Sequence, residues 1–328
     1  MYNLKSLKRI TIESTSFCNA RCPQCDRFDK FNKTIVPLKH LDCQWLEKNL
    51  NPGLLPALQE VVLEGNCGDV LSHRDPESFL RLYKGVEKIR IVTNGSIRNE
   101  KFFENLATYK NLEITFSVDG MQDTNSMYRQ NTDFDKIMNN ARAFIGKGGK
   151  AVWKFIVFKH NEHQIDQARN LSRSYNFAGF ETQHSDRSWY HGKKWPVFND
   201  GRYVFDLEPS EKFVDIDSFN NDQEKLSETI TNYYKSRKIS ECPLALKKEI
   251  FIDYNGYVLP CCILSNDFWQ QTYNTKFLKK YLPDPGVISI KQFNIEQIFD
   301  SEFYTKTLKE SFSTKPMPKC LLYCSSEI

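Results

Sequence analysis

A chain of 328 residues, 40% hydrophobic and 26% charged, is long enough for one large or two unequal domains around a sizeable core. With 45 Lys and Arg against 41 Asp and Glu, its net charge of +4 argues against a dedicated nucleic-acid surface or a membrane-binding face. Ten cysteines are the oddity, because clustered thiols in a reducing compartment are more often metal ligands than disulfides.

Six short β-branched or aromatic runs come first: Arg9–Glu13, Glu60–Leu63, Lys88–Thr93, Glu113–Val118, Val152–Phe158 and Gly179–Thr182. Between them, apolar residues recur at helical spacing behind the capping-type residues Asp42, Asn99, Asp133 and Asn161. Such alternation predicts a parallel sheet covered by helices. A closed eight-unit barrel takes about 250 residues. Only about 180 are available here, which predicts an α/β fold of the partial (β/α)6 TIM-like barrel type.

The unusual residues all follow strands, where α/β proteins build their sites. Cys18, Cys22 and Cys25 follow the first, Gly65-Asn66-Cys67-Gly68-Asp69 the second, Thr93-Asn94-Gly95 the third and Asp119-Gly120 the fourth. Lys159-His160-Asn161 and Gln183-His184-Ser185-Asp186-Arg187 end the fifth and sixth. Residues 189–241 mix aromatics and charges without a period and read as connecting structure, with a candidate substrate-facing run from Asp186 to Trp195. Beyond Cys242, Glu249–Tyr254 and Tyr257–Pro260 flank Asn255-Gly256, a strong hairpin signal. Asn294 then caps a helix predicted to run to Phe312, before Lys315-Pro316-Met317-Pro318 breaks it.

Cys18, Cys22 and Cys25, with three and two residues between them, can converge on one small object. A tetrahedral zinc needs a fourth ligand, for which His40 and Cys43 are nearest. A four-iron cluster on three cysteines leaves one iron open to a ligand that is not protein. Simple buried thiols are the third reading. Cys43 and Cys67 read as packed thiols. Glycine dipeptides such as Asn94-Gly95 are ordinary turns unless their place after strands raises them.

The motifs together resemble the radical S-adenosylmethionine superfamily across roughly residues 8–182. Cys18-x3-Cys22-x2-Cys25 is similar to its cluster motif. Gly65-Asn66-Cys67-Gly68-Asp69 resembles its glycine-rich second-strand motif in the variant ending Gly-Asp, and Ser117-Val118-Asp119-Gly120 with Tyr128-Arg129 resembles its fourth-strand motif. Gln24 departs from the aromatic often found before the third cysteine. The resemblance implies a [4Fe-4S] cluster with an open iron on Cys18, Cys22 and Cys25, and S-adenosylmethionine bound by Gly65, Asn66, Gly68, Asp69, Ser117, Asp119 and Arg129.

Cys242, Gly256 and Cys261, with thirteen and then four residues between them, resemble the twitch domain or half of the longer SPASM domain. That likeness implies one auxiliary [4Fe-4S] cluster on Cys242, Cys261, Cys320 and Cys324, with Cys262 spare or in place of Cys261; zinc is the alternative for this four-cysteine set. The expected division is 1–188 for the radical core, 189–241 for the connecting segment and 242–328 for the small cysteine-rich auxiliary-cluster domain.

The implied activity is reductive cleavage of S-adenosylmethionine to a 5′-deoxyadenosyl radical that abstracts hydrogen from a substrate C–H bond. Its substrate class is expected to be a peptide or protein side chain, oxidised or cross-linked, with a small sugar or nucleotide as the alternative. The reductant is expected to be an external donor such as a flavodoxin or ferredoxin. A noncatalytic iron–sulfur or zinc protein serving electron transfer or structure is the competing class, and a zinc-stabilised nucleic-acid module is disfavoured by the charge. No apolar run reaches the roughly eighteen residues of a membrane span. With no signal-like stretch at Met1–Lys5, no membrane partner and a cytoplasmic location are expected.

Overall fold

The computed structural model describes residues 2–29, 31–185, 194–199, 201–210, 237–238, 242–269, 281–312, 317, 320, 324 and 326–327. Six parallel strands form where the β-branched runs lie: β1 (Arg9–Ile12), β2 (Glu60–Leu63), β3 (Lys88–Thr93), β4 (Leu112–Ser117), β5 (Lys150–Val157) and β6 (Gly179–His184). The helices between them are α1 (Cys43–Leu50), α2 (Glu77–Leu82), α3 (Glu100–Leu106), α4 (Asn125–Tyr128), α5 (Phe134–Gly146) and α6 (Ile165–Ser174). Strand and helix alternate in the order expected of a partial barrel, and Ile10, Val61, Ile89, Ile114, Phe116 and Trp153 fill its core. Among the described residues, no helix is long and apolar enough to cross a membrane.

Capping sets three of the helix starts. Asp42, Asn99 and Asp133 each accept a backbone N–H from the first turn of α1, α3 and α5. Asn161, expected to cap α6, does not. Its carboxamide is drawn inward, accepting from Phe158 N at 2.7 Å and donating to Asp119 O at 2.9 Å, so a short 3₁₀ turn intervenes and α6 starts later.

The hairpin around Asn255-Gly256 extends this sheet. Strand β7 (Trp195–Asn199) pairs with β8 (Arg202–Leu207) as a separate antiparallel ribbon, and β9 (Arg237–Lys238) pairs with a short strand near the C-terminus. Then β10 (Glu249–Ile252) lies parallel to β1, with Arg9 opposite Glu249 and Ile12 opposite Ile252, and β11 (Val258–Leu259) folds back on it. The main sheet therefore runs β11-β10-β1-β2-β3-β4-β5-β6. The cause is legible in the side chains: Ile250, Phe251 and Ile252 are buried, and Arg9 bridges Glu60 and Glu249 on either side at 3.2 Å. The helix that begins behind Asn294 stops at Asp300, because Ser301 turns extended (ψ 155°), and a π-helical turn over Phe303–Thr307 follows.

Candidate active site

Strand β1 delivers Glu13 and then a loop that carries Cys18, Cys22 and Cys25. Their side chains join one apolar cluster with Ala20, Tyr128 and Phe158, the last two rings 4.5 Å apart. All three are free thiols, and burial is what pushes Cys18 and Cys22 above the usual thiol range. Arg129 and Arg27 oppose that rise at Cys22. The loop is pinned from inside by Arg27, whose guanidinium donates to Cys18 O at 2.6 Å and also to Ala20 O, while its face covers the Phe28 ring at 4.4 Å.

The second-strand loop closes one flank. Cys67 N and Gly68 N donate to Glu13 Oε1 at 2.7 and 3.3 Å. Gly68 is glycine for a steric reason, since a Cβ there would stand 1.7 Å from Thr15 O. Asp69 does not point into open space. Its carboxylate accepts from Leu71 N, Thr93 Oγ1, Asn94 N and Asn94 Nδ2 at 2.8–3.0 Å, and so orients the third-strand loop. Asn94 Nδ2 then reaches Asn19 Oδ1 at 2.9 Å and Cys18 Sγ at 3.5 Å.

The fourth-strand motif is held just as firmly. Asp119 is fully buried, accepting from Ile156 N at 2.6 Å and from Arg129 Nε at 2.5 Å. Burial pushes its carboxyl up while the Arg129 guanidinium opposes the shift. Arg129 Nη1 lies 3.8 Å from Cys22 Sγ. Ser117 is buried at the end of β4, opposite Lys154. Gln24 accepts from Ser185 Oγ at 2.9 Å, joining the loops after β1 and β6 across the mouth. The β7–β8 ribbon covers this region through Val197 and Leu207, with Trp195 and Phe205 beside them. Residues 186–193 of the proposed substrate-facing run, and most of the 189–241 connecting segment, lie outside the described residues.

The structure therefore brings Cys18, Cys22, Cys25 and Arg129 together, with Asn66 O 3.8 Å from Cys25 Sγ. It turns the side chains of Asp69 and Asp119 toward protein donors. The zinc alternative does not fit. His40 Nδ1 pairs with Thr15 Oγ1 at 2.9 Å and its ring stacks on Phe17, while Cys43 packs in α1 beside Ser78. Among the described residues, no three His, Cys, Asp or Glu side chains are placed to hold a single metal ion. The donor set fits a thiolate-bound cluster better: Asn94 Nδ2 and Arg129 Nη1 aim N–H groups at two of the three sulfurs, where bound thiolates concentrate negative charge. Glu13, Arg27 and Asn94 act at this site although the motifs do not single them out; only the position of Asn94 after a strand is a sequence signal.

In the C-terminal region, Cys242 precedes the helix Pro243–Leu246, Cys261 follows β11, and Cys320 and Cys324 come back to them. Cys261 feels the charges of Cys262, Cys320 and Cys242, and Cys324 feels that of Cys242, so the four predicted thiols share one neighbourhood. Burial drives Cys261 and Cys324 upward. Cys262 is exposed and starts the helix Cys262–Trp269. Tyr2 and Tyr304, ring centroids 5.1 Å apart, pack alongside.

An α/β partial barrel with three thiols at its strand ends, joined to a second four-thiol region, defines an iron–sulfur enzyme framework. The chain carries a radical SAM superfamily domain, matched over residues 12–171, and a SPASM iron–sulfur cluster-binding domain, matched over residues 242–325. Its cofactors are [4Fe-4S] clusters and S-adenosylmethionine. Among solved structures it is similar to anSMEcpe with bound AdoMet (14% identity, TM-score 0.59, covering 93% of this chain and 84% of that one). It is similar as well to Streptococcus suis SuiB bound to its precursor peptide SuiA (13% identity, TM-score 0.57, covering 96% and 71%). SuiB bound to S-adenosylmethionine gives 14% identity and a TM-score of 0.54, covering 97% and 68%. These likenesses establish a shared fold. Among curated proteins, none matches the sequence significantly.

Proposed function

We propose that this radical SAM enzyme modifies a side chain of a peptide or protein, with Cys18, Cys22 and Cys25 holding the cluster that has an open iron. Gly65, Asn66 and Gly68 offer backbone to S-adenosylmethionine, Ser117 lines its seat, and Asp69, Asp119 and Arg129 hold that seat in shape. Cys242, Cys261, Cys320 and Cys324 hold the auxiliary cluster. When bound, the cluster and S-adenosylmethionine supply one-electron chemistry that ends in hydrogen abstraction from a substrate C–H bond.

This chain's own residues do the rest. Asn94 and Arg129 direct N–H groups at the sulfurs of Cys18 and Cys22, where they would tune the potential of a cluster held by those thiolates. Gln24 and Ser185 join the loops across the mouth, and the packed rings of Tyr128 and Phe158 exclude water from one side. An external donor such as a flavodoxin or ferredoxin supplies the electron.

One observation carries the substrate class. The β7–β8 ribbon is seated over the three-cysteine loop, yet Tyr203 and Val204 on β8 are 57% and 54% exposed, and Phe198 stands between Tyr203 and Phe31 at 6.2 and 5.4 Å. An exposed aromatic ribbon beside a reaction centre suits an extended chain, whose backbone and alternate side chains it can engage. SuiB bound to its precursor peptide shares this overall fold, which supports the reading. The test is anaerobic incubation of reconstituted enzyme with separated peptide and small-metabolite fractions, S-adenosylmethionine and a reductant. Substrate-dependent 5′-deoxyadenosine with a mass-shifted peptide is expected. Its confinement to the small-metabolite fraction, with no altered peptide, rejects the peptide assignment.

A further inference from the structure

Asn66 touches both thiol regions. Its carbonyl oxygen lies 3.8 Å from Cys25 Sγ, and its side-chain Nδ2 donates to Cys262 O at 2.9 Å, 196 positions along the chain. Cys262 directly follows Cys261. The loop that carries Asn66 has little freedom to absorb a displacement at that point. Its next two amides are fastened to Glu13 Oε1, Gly68 abuts the Thr15 carbonyl, and Asp69 N donates to Phe17 O at 2.9 Å.

We propose that Asn66 is a positioning residue that couples the two iron–sulfur sites, through the bond from its carboxamide to the backbone beside Cys261. This rests on the reading of Cys242, Cys261, Cys320 and Cys324 as auxiliary ligands and of residues 65–69 as part of the S-adenosylmethionine seat. A cluster bound at Cys261 fixes the backbone that presents the Cys262 carbonyl. With the site empty, that carbonyl is held by the start of the helix Cys262–Trp269 without the added restraint at Cys261, and Asn66 has a less firmly placed acceptor. The loop beside Cys25 then loosens, and S-adenosylmethionine binds a less ordered seat. Coupling of this kind is reciprocal, so S-adenosylmethionine also strengthens retention of the auxiliary cluster.

The test is a double-mutant cycle on the reconstituted full chain. S-adenosylmethionine affinity is read from its perturbation of the first cluster's paramagnetic signal. Removing the auxiliary cluster with Cys320→Ser and Cys324→Ser should weaken binding about fivefold, the worth of one hydrogen bond. Asn66→Ala should weaken it to a similar degree, and the combined protein no further. Losses that multiply, to about 25-fold by the same arithmetic, or an affinity indifferent to the auxiliary cluster, overturn the coupling. If Asn66→Ala takes up no iron, Asn66→Asp, which keeps the size and removes the donor, goes through the same cycle. Hydrogen exchange over residues 64–70 needs no change at Asn66. It should quicken when Cys320 and Cys324 are replaced, and unchanged exchange also overturns the proposal. Iron content separates the two failures. A drop to about four atoms with multiplying losses sinks the coupling alone, whereas undiminished iron in the Cys320→Ser, Cys324→Ser protein sinks the ligand reading and the coupling with it.

Discussion

Glu13 shows what burial does to a single carboxyl. It is 1% exposed, its Oε1 accepts two amides, and its Oε2 has no hydrogen-bond partner among the described residues. Burial is the main reason its pKa is pushed up to about 8, with Asp253 adding to the rise and the Cys67 and Gly68 amides opposing it. The folded chain thus holds a proton that the unfolded chain releases near 4.5. The associated stability is fully present below that value and is lost as pH rises to about 8, a swing on the order of a few kcal/mol. Glu13→Gln keeps an oxygen for both amides and stays neutral, so the fall in urea midpoint over this range should disappear; equal falls in both proteins would refute the assignment. Asp119 is buried as deeply, but beside a guanidinium. Asp119→Asn leaves Arg129, only 16% exposed, without its carboxylate, and should cost about 3 kcal/mol in urea unfolding. A loss below about 0.5 kcal/mol would mean the pair is solvated, as surface pairs are. The Glu13 consequence is not legible in the sequence, because Glu13 closes an ordinary strand and its partners lie 54 and 55 positions away.

Elements were far more legible than these contacts. All six parallel strands fall on the β-branched runs, and three of the four expected helix caps accept the bonds their residue types predict. Local chemistry suffices for such features: a period, a cap and a turn dipeptide act over a few residues. Asn255-Gly256 likewise marks its hairpin, with Gly256 at φ 85°. Local chemistry says nothing about which strand β10 joins, since its pairing with β1 spans 240 positions. Helix α2 also escaped, because it follows Pro76 and lacks a side-chain cap bond. The second-strand loop combines both kinds of information. Its glycines are visible as a motif, yet the reason Gly68 must be glycine is the Thr15 carbonyl of another element. Gly68→Ala should therefore displace the loop from β1, costing at least about 2 kcal/mol in thermal or urea unfolding. First-site iron loading should fall with it. An alanine variant of unchanged stability and loading would show that the loop has slack, and the fit between β1 and the second-strand loop would not be what shapes the site.

At the scale of the whole molecule, the question is whether two thiol sets that share one sheet behave as one metal site or two. Strand β10 ties the C-terminal region to β1, so the sets are mechanically joined. The ligands proposed for them nonetheless come from different stretches of the sequence, Cys18, Cys22 and Cys25 for one and Cys242, Cys261, Cys320 and Cys324 for the other, with no cysteine assigned to both. The sheet itself is held by buried aliphatic and aromatic side chains, including Ile10, Val61, Ile89 and Ile114; Cys320 belongs to that core and Cys261 packs against it, whereas Cys18, Cys22 and Cys25 lie in a separate cluster. Emptying one site removes its own binding energy while leaving that core in place. Anaerobically reconstituted protein should therefore carry about eight irons, from two four-iron clusters. Changing Cys18, Cys22 and Cys25 together to Ala should leave about four, with S-adenosylmethionine no longer perturbing any paramagnetic signal because the remaining cluster has four protein thiolates. Retention of all the iron would break the assignment of the first three ligands. Loss of all of it would show instead that the two sites fold and load as one cooperative unit, with the β1–β10 pairing too weak to hold the second set when the first is empty.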